Sequence, residues 1–263
     1  MQSSPMQSSP MPRLDQLLVQ QQLAASRTRA QRLIKNGRVW RTDTRARLAK
    51  ASEKLADATP LAVDDDPEER YVSRAGLKLE AVLNALGKRF DGQAVLDVGQ
   101  STGGFSDCAL RFGARHVIGI EVGHGQLAQA LRDDARVSCL EGINARALGQ
   151  SSAFAELLAQ HAPSAAVMDV SFISQTLILP EIAAALPAGG ELISLVKPQF
   201  ELDPAALDKR GVVRDPRRYA EVKTRLENAC EQSGLHIVHW QPSPITGGDG
   251  NREFLLHALK RHA

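Results

Sequence analysis

The chain has 263 residues but only three cysteines, two tryptophans, two tyrosines and seven phenylalanines. Cys108, Cys139 and Cys230 are odd in number and far apart, so neither a disulfide framework nor a zinc pattern can be drawn from them. They read as small buried apolar residues of a chain kept in a reducing cytoplasm. No metal is expected. No run of 18 apolar residues occurs, which excludes a helical membrane span. The opening MQSSPMQSSPMP lacks the basic and apolar regions of a signal peptide and reads as a disordered leader over residues 1–12. Trp40 is the one aromatic in the basic N-terminal stretch, so any binding of nucleic acid there leans on phosphates and shape rather than on stacking.

What is present is ordinary globular material: 43% hydrophobic and 24% charged residues, enough for one large and one small domain. Net charge is only +2, but it is uneven. Between Arg13 and Lys54 stand eleven Lys and Arg against three acids, a net of +8, which leaves −6 on the rest. A basic module on a mildly acidic body suggests a partner rich in phosphate.

The rest of the chain is organised around Val95-Leu96-Asp97-Val98-Gly99-Gln100-Ser101-Thr102-Gly103-Gly104-Phe105. It reads as a buried strand, a glycine turn and a helix, with Ser101 or Thr102 as the helix cap. Gly99, Gly103 and Gly104 allow a tight turn and close approach of a ligand. The spacing is not G-x-G-x-x-G and no G-K-[ST] follows, which argues against NAD and against a P-loop nucleotide. The next apolar run, 116–120, ends in Glu121, a carboxylate placed to accept hydrogen bonds from ribose hydroxyls. Asp97, the turn and Glu121 together suggest S-adenosylmethionine.

Further strands are expected over 137–140, 165–168, 192–196, 235–240 and 253–258. Helices are expected near 125–132, 153–160, 175–186 and from Asp215-Pro216 to about Ser233. Leu79, Val82, Leu83 and Leu86 form the stripe of a helix ahead of the first strand, stopped by Gly87. Alternating strands and helices predict an α/β, Rossmann-like doubly wound sheet of seven strands. The last two strands have no helix between them, so the last one is expected to run antiparallel.

Ligands of such sheets sit beyond the carboxyl ends of the strands. Asp169 and Lys197 fall there, Glu253 starts the last strand at the same edge, and Lys78 precedes the first strand on its helix. Four charges scattered in sequence thus converge. A ribose 2′-hydroxyl is a poor nucleophile until its proton is taken. Lysine is normally protonated, but a neighbouring cation and desolvation favour the neutral form, which makes Lys197 the candidate base. Asp169 and Glu253 can orient the lysines, though their charges act against that neutral form.

At the N-terminus, two short helices and a basic strand resemble the S4 RNA-binding domain. The matching residues are Arg13-Leu14-Asp15, Ser26-Arg27-Thr28-Arg29-Ala30, Leu33-Ile34 and Gly37-Arg38-Val39. The expected RNA-binding residues are Arg13, Arg27, Arg29, Arg32, Lys35 and Arg38. Residues 61–70, with Asp64-Asp65-Asp66-Pro67-Glu68-Glu69, read as an acidic linker. The expected division is an S4-like domain over 13–63, a linker over 64–70 and a methyltransferase domain over 71–263.

Six segments carry a more specific resemblance. They are Tyr71-Val72-Ser73-Arg74-Ala75-Gly76-Leu77-Lys78-Leu79, Ser101-Thr102-Gly103-Gly104-Phe105, Val122-Gly123-His124-Gly125-Gln126-Leu127, Asp169-Val170-Ser171-Phe172-Ile173-Ser174, Leu195-Val196-Lys197-Pro198-Gln199-Phe200-Glu201 and Gly250-Asn251-Arg252-Glu253. With them the chain resembles the TlyA family, also labelled haemolysin A, of rRNA 2′-O-methyltransferases. The wider ribose-methylating group, which includes FtsJ-like enzymes, is similar in using Lys-Asp-Lys-Glu. That maps onto Lys78, Asp169, Lys197 and Glu253. The resemblance implies S-adenosylmethionine held by Asp97, Gly99, Ser101, Thr102, Gly103, Gly104, Phe105, Glu121, Val122, Gly123, Asn144 and Asp169. Asn144 and its neighbours in Glu141-Gly142-Ile143-Asn144-Ala145-Arg146 would approach the adenine, and Glu121 the ribose. The substrate it implies is a cytidine in ribosomal RNA, presented as rRNA or as ribosomal subunits. Two rivals are a membrane-acting haemolysin and a catalytically silent RNA-binding protein.

Overall fold

The structure, a computed structural model, describes residues 11–245, 247 and 250–262. Residues 1–10 of the expected leader lie outside the described residues. The chain divides between Arg70 and Tyr71 into two compact units.

In the N-terminal unit, α1 (Leu14–Gln20) buries Leu14, Leu17 and Leu18, and α2 (Arg27–Lys35) buries Ala30, Leu33 and Ile34. Both sets have the i, i+3, i+4 spacing of one helical face. Ser26 caps α2 by accepting from the Arg29 N–H at 3.2 Å. α1 ends at Gln20, and Gln22 sits at φ 60°. β1 (Val39–Arg41) pairs antiparallel with β2 (Leu61–Val63). The first three residues of the acidic stretch read over 61–70 are thus a strand, inside the 13–63 span expected for the S4-like domain. Leu61 closes the small core beside Val39, and acidic neighbours hide this three-residue strand in the sequence. The acidic stretch that follows also folds back. Asp64 accepts from the Trp40 indole at 2.8 Å, Asn36 donates to Asp66 at 2.8 Å, and Glu69 pairs with Arg29 and Arg32.

The C-terminal unit opens with α3 (Ala75–Leu86), which buries Leu79, Val82 and Leu83 and stops at Gly87, φ 60°. There follow β3 (Ala94–Val98), α4 (Gly104–Arg111), β4 (His116–Glu121), α5 (Gln129–Arg132), β5 (Val137–Glu141), α6 (Ser152–His161), β6 (Ala165–Met168), α7 (Leu179–Ala185), β7 (Glu191–Val196), α8 (Pro198–Glu201), α9 (Arg218–Gln232), β8 (Leu235–Pro242) and β9 (Phe254–Lys260). The sheet order is β5-β4-β3-β6-β7-β9-β8. β3 to β7 are parallel, and β9 runs antiparallel to both β7 and β8, as expected.

Both faces of the sheet are covered. Leu96, Ile118, Ala166 and Leu192 enter one core, and Val95, Val117, Val167 and Ile193 enter the other. That two-sided burial is why the central strands are apolar runs rather than alternating ones. Each buried Leu or Ile contributes about 1.5–3 kcal/mol.

Several boundaries differ from the sequence expectation. α5 starts at Gln129, not near 125, and the 175–186 helix is a 3-10 turn, Gln175–Leu177, followed by α7. α9 starts at Arg218, after Asp215 and Pro216. Neither Ser101 nor Thr102 caps α4. Its N-cap is Gly103 at φ 92°, without a side-chain cap, and Ser101 is held at φ 48°. Glu253 lies one residue ahead of β9 rather than in it.

Candidate active site

β3 is followed by Gly99 at φ 81°, where a Cβ would stand 2.5 Å from the Asp169 carbonyl oxygen. Only glycine lets the end of β3 press this closely on the end of β6. Glu121, at the end of β4, is largely buried. One of its oxygens accepts from the Ser101 N–H and the other from the Gly123 N–H, both at 2.8 Å. The carboxylate thus ties the glycine turn to the strand beside it. It draws Ser101 into the left-handed conformation that rules it out as a helix cap.

Beneath the turn lies a buried chain of polar groups. Gln100 Nε2 donates to Ser106 Oγ at 2.8 Å, and Ser106 Oγ donates to Asp97 Oδ2 at 2.6 Å. Burial pushes the Asp97 carboxyl up to about 7. The Ser106 hydrogen bond opposes that rise, and the charges of Asp169 and Glu121 add to it. Asp97 Oδ1 and Gln100 Oε1 have no hydrogen-bond partner among the described residues. Gln100 fits because Gly119 has no side chain: a Cβ there would meet Gln100 Cδ at 2.0 Å.

Two cavities open beside the turn. The larger, about 570 Å³, is lined by Gly99, Ser101, Glu121, Val122, Asn144 and Asp169, with apolar walls from Ile120, Ile143, Val170 and Ile178. The smaller, about 190 Å³, is lined by Thr102, Gly104, Phe105 and Lys197 and shares Gly99, Ser101, Asp169 and Ser171 with the larger. Asp97, Gly103 and Gly123 line neither. Asp97 lies under the turn, a Cβ on Gly103 would meet Leu131 Cδ1 at 2.3 Å, and Gly123 donates to Glu121. Asn144 Oδ1 already accepts from the Arg146 N–H at 3.0 Å.

The four charged residues form two ion pairs. Lys197 Nζ lies 2.6 Å from Asp169 Oδ1 and donates to Ser171 Oγ at 2.8 Å. Lys78 Nζ pairs with Glu253 Oε2, and both side chains are buried. Val196 of β7 is paired with Phe254 of β9, so Lys197 and Glu253 leave adjacent strands at one edge of the sheet. Lys78 and Glu253 line neither cavity.

Sequence reasoning gave no site role to Ser171 and Phe172, which also line the larger cavity, as does Arg146 beside Asn144. Ser171 carried a signal, since it stands two residues past a strand-end carboxylate. Phe172 carried none: it is 90% exposed, at φ 62°, and packs against Phe200 with ring centroids 5.0 Å apart. Among the described residues no group of His, Cys, Asp or Glu is arranged to hold a metal ion, and no helix is long and apolar enough to cross a membrane.

In the N-terminal unit, most of the expected RNA-binding residues hold carboxylates of that same unit. Arg13 and Arg27 both pair with Asp15, at 3.0 and 3.1 Å, and Asp15 is fully buried. Burial raises the Asp15 carboxyl, but hydrogen bonds from Arg13, Gln31 and Arg27 outweigh it and hold the group well below the usual range. Arg29 and Arg32 share Glu69, and Arg38 lies 3.8 Å from Asp66. Lys35 has no acidic partner among the described residues. Arg45, which sequence reasoning passed over, instead stacks over the Trp40 ring at 5.2 Å.

Comparison with known proteins agrees with this architecture. The family model described as FtsJ-like methyltransferase matches residues 71–260, and the S4 domain model matches residues 12–41. The chain is similar to YqxC of Bacillus subtilis, named as a candidate rRNA methyltransferase, with 43% identity over 93% of this chain and 84% of that one. It is also similar to the 16S/23S rRNA (cytidine-2′-O)-methyltransferase TlyA of Mycobacterium tuberculosis, with 37% identity over 93% and 88%. A solved structure from Streptococcus thermophilus, described as a candidate hemolysin, superposes with a TM-score of 0.71 at 36% identity. That match covers 97% of this chain and 90% of the other. The chain therefore belongs to the FtsJ-like methyltransferase family, in its TlyA branch, with an S4 domain ahead of the methyltransferase domain.

Proposed function

We propose that the protein is an S-adenosylmethionine-dependent RNA methyltransferase that modifies a ribose 2′-hydroxyl, that of a cytidine in ribosomal RNA. The observation that carries this reading is the pair of Lys–carboxylate contacts, Lys197–Asp169 and Lys78–Glu253, at the carboxyl edge of the sheet. The named activity of the TlyA relative supports the substrate class. A cytoplasmic place of action, where ribosomes are assembled, follows from the same reading.

The residues fit the cofactor. The cavity of about 570 Å³ is of ligand size, apolar on its walls, with the Glu121 carboxylate at the end of the second strand. Gly99 and Ser101 bring bare backbone to its floor, and Asn144 stands on its wall. When bound, S-adenosylmethionine supplies an electrophilic methyl group on a sulfonium. Everything else is the work of this chain. Lys197 is the group placed to take the proton of the 2′-hydroxyl at Nζ. Asp169 and Ser171 hold that nitrogen in place. Lys78, fixed by Glu253, adds a cation that stabilises the developing alkoxide.

The test is transfer of tritiated methyl groups to intact ribosomes, 30S and 50S particles and naked rRNA, followed by nucleoside mapping. Label in a 2′-O-methylcytidine is expected. Label only on bases, or none at all, would sink the reading. A hemolysin activity rests on the name carried by several relatives, the Streptococcus thermophilus protein among them, and leakage of liposomes by the purified protein would revive it.

A further inference from the structure

The parallel ladder between β6 and β7 stops one step short of the site. Its last pair is Met168 with Ser194, and the chain leaves the sheet at Asp169. The Leu195 carbonyl, two residues before Lys197, thereby loses its strand neighbour. An unpaired carbonyl in so buried a place costs about 1–3 kcal/mol.

Gln175 takes the place of the missing rung. Its Nε2 donates to the Leu195 carbonyl at 2.7 Å, and its Oε1 accepts from Ser194 Oγ at 2.8 Å. Its backbone N–H donates to Glu201 Oε1 at 2.8 Å, while Ser174 Oγ donates to Glu201 Oε2 at 2.6 Å. Gln175 and Glu201 are each only 2% exposed. Burial pushes the Glu201 carboxyl up, against the hydrogen bonds it accepts. Arg225 fixes the other end by donating to the Glu201 backbone carbonyl at 2.6 Å.

The loop that begins at Asp169 is thus fastened at its far end on both sides of Lys197, to residues 194 and 195 before it and to Glu201 after it. Neither Gln175 nor Glu201 lines either cavity. A buried polar network is harder to accommodate than apolar packing of the same volume, but it specifies one orientation. We infer that Gln175 and Glu201 are positioning residues that clamp the 169–175 loop to the end of β7, so that Asp169 and Ser171 stay within reach of Lys197 Nζ. This rests on the methyltransferase reading above.

Gln175→Met keeps the length of the side chain and removes the amide. Ser174→Ala is a milder cut, removing one tie to Glu201, and serves if the first variant does not fold. Both are tested as full-length protein in tritiated methyl transfer, with rates normalised to the fraction that binds S-adenosylmethionine by calorimetry. For Gln175→Met the normalised kcat is expected to fall on the order of 10–100-fold, with KM for RNA and cofactor Kd within about twofold of the parent. Ser174→Ala should shift kcat alone in the same direction, by less. Unchanged normalised kcat in every variant that folds, or a change confined to KM or Kd, overturns the inference. A parent protein that transfers no methyl overturns both readings, whereas an active parent with unaffected variants overturns this one alone.

Discussion

Lys197 Nζ and Asp169 Oδ1 stand 2.6 Å apart, an ion pair that joins the ends of two neighbouring parallel strands. The pair lies at the smaller cavity, and the lysine donates a further hydrogen bond to Ser171. If Lys197 is the group that takes the 2′-hydroxyl proton, Lys197→Ala should lower methyl transfer by about 10²–10⁴-fold. Cofactor binding should be largely kept, because the larger cavity does not include Lys197. Methyl transfer near the parent rate would remove the lysine from the mechanism.

Glu121 does two things at once, and its substitution should show both. It lines the cavity, and its two oxygens hold the Ser101 and Gly123 N–H groups. Glu121→Ala should therefore weaken S-adenosylmethionine binding by about 1.5–3 kcal/mol, the scale of a lost charge-assisted hydrogen bond. It should also loosen the glycine turn, seen as faster amide exchange at Ser101 and Gly123. Calorimetry that finds unchanged affinity would mean the carboxylate serves the turn alone.

The sheet and its order of strands and helices were legible because each buried strand is a short apolar run ending in a charged or glycine residue. The four charges were legible because three of them stand at strand ends. Less visible were the contacts that hold those ends together. Gln175 and Glu201 look like ordinary polar residues until the ladder between β6 and β7 is seen to stop at Met168. β2 was masked by the aspartates after it, since composition reports the neighbours of a three-residue strand more loudly than the strand. The Ser101 cap failed because Glu121, twenty residues away, had a stronger claim on the turn than the local helix did.

Asp97 makes stability depend on pH. Its carboxyl is raised from an ordinary 3.8 to about 7 in the folded chain, chiefly by burial. The folded state thus keeps its proton longer than the unfolded state does. The stabilisation is fully present below pH 3.8 and is lost as pH rises through about 7. Asp97→Asn cannot ionise and keeps an acceptor for Ser106. Its melting temperature, measured without cofactor, should gain on the parent from pH 5 to about pH 7 and level off by pH 8. An equal difference at both ends of that range would show that ionisation of Asp97 is not the cause.

The N-terminal unit poses the sharper question of charge. Residues 13–54 carry +8, but the unit extends to Arg70, and over 13–70 there are twelve Lys and Arg against nine acids, a net of +3. The acids are not idle: Glu69 holds Arg29 and Arg32, and Asp66 lies by Arg38. An RNA phosphate that binds those arginines has to displace a carboxylate first. Glu69→Gln should then tighten RNA binding and steepen the fall of log K with log salt by about one to two, the share of two freed guanidinium groups. Replacing Arg29 and Arg32 by Glu should do the reverse. A protein beginning at Tyr71 should still bind S-adenosylmethionine, since both cavities lie within the C-terminal unit, yet methylate rRNA poorly. The measurement is filter binding of rRNA fragments over a salt series, with methyl transfer on the same particles. Weaker binding by Glu69→Gln would show that this carboxylate holds the unit together rather than screening its arginines. Full methylation by the protein starting at Tyr71 would move the RNA anchor out of the S4 domain altogether.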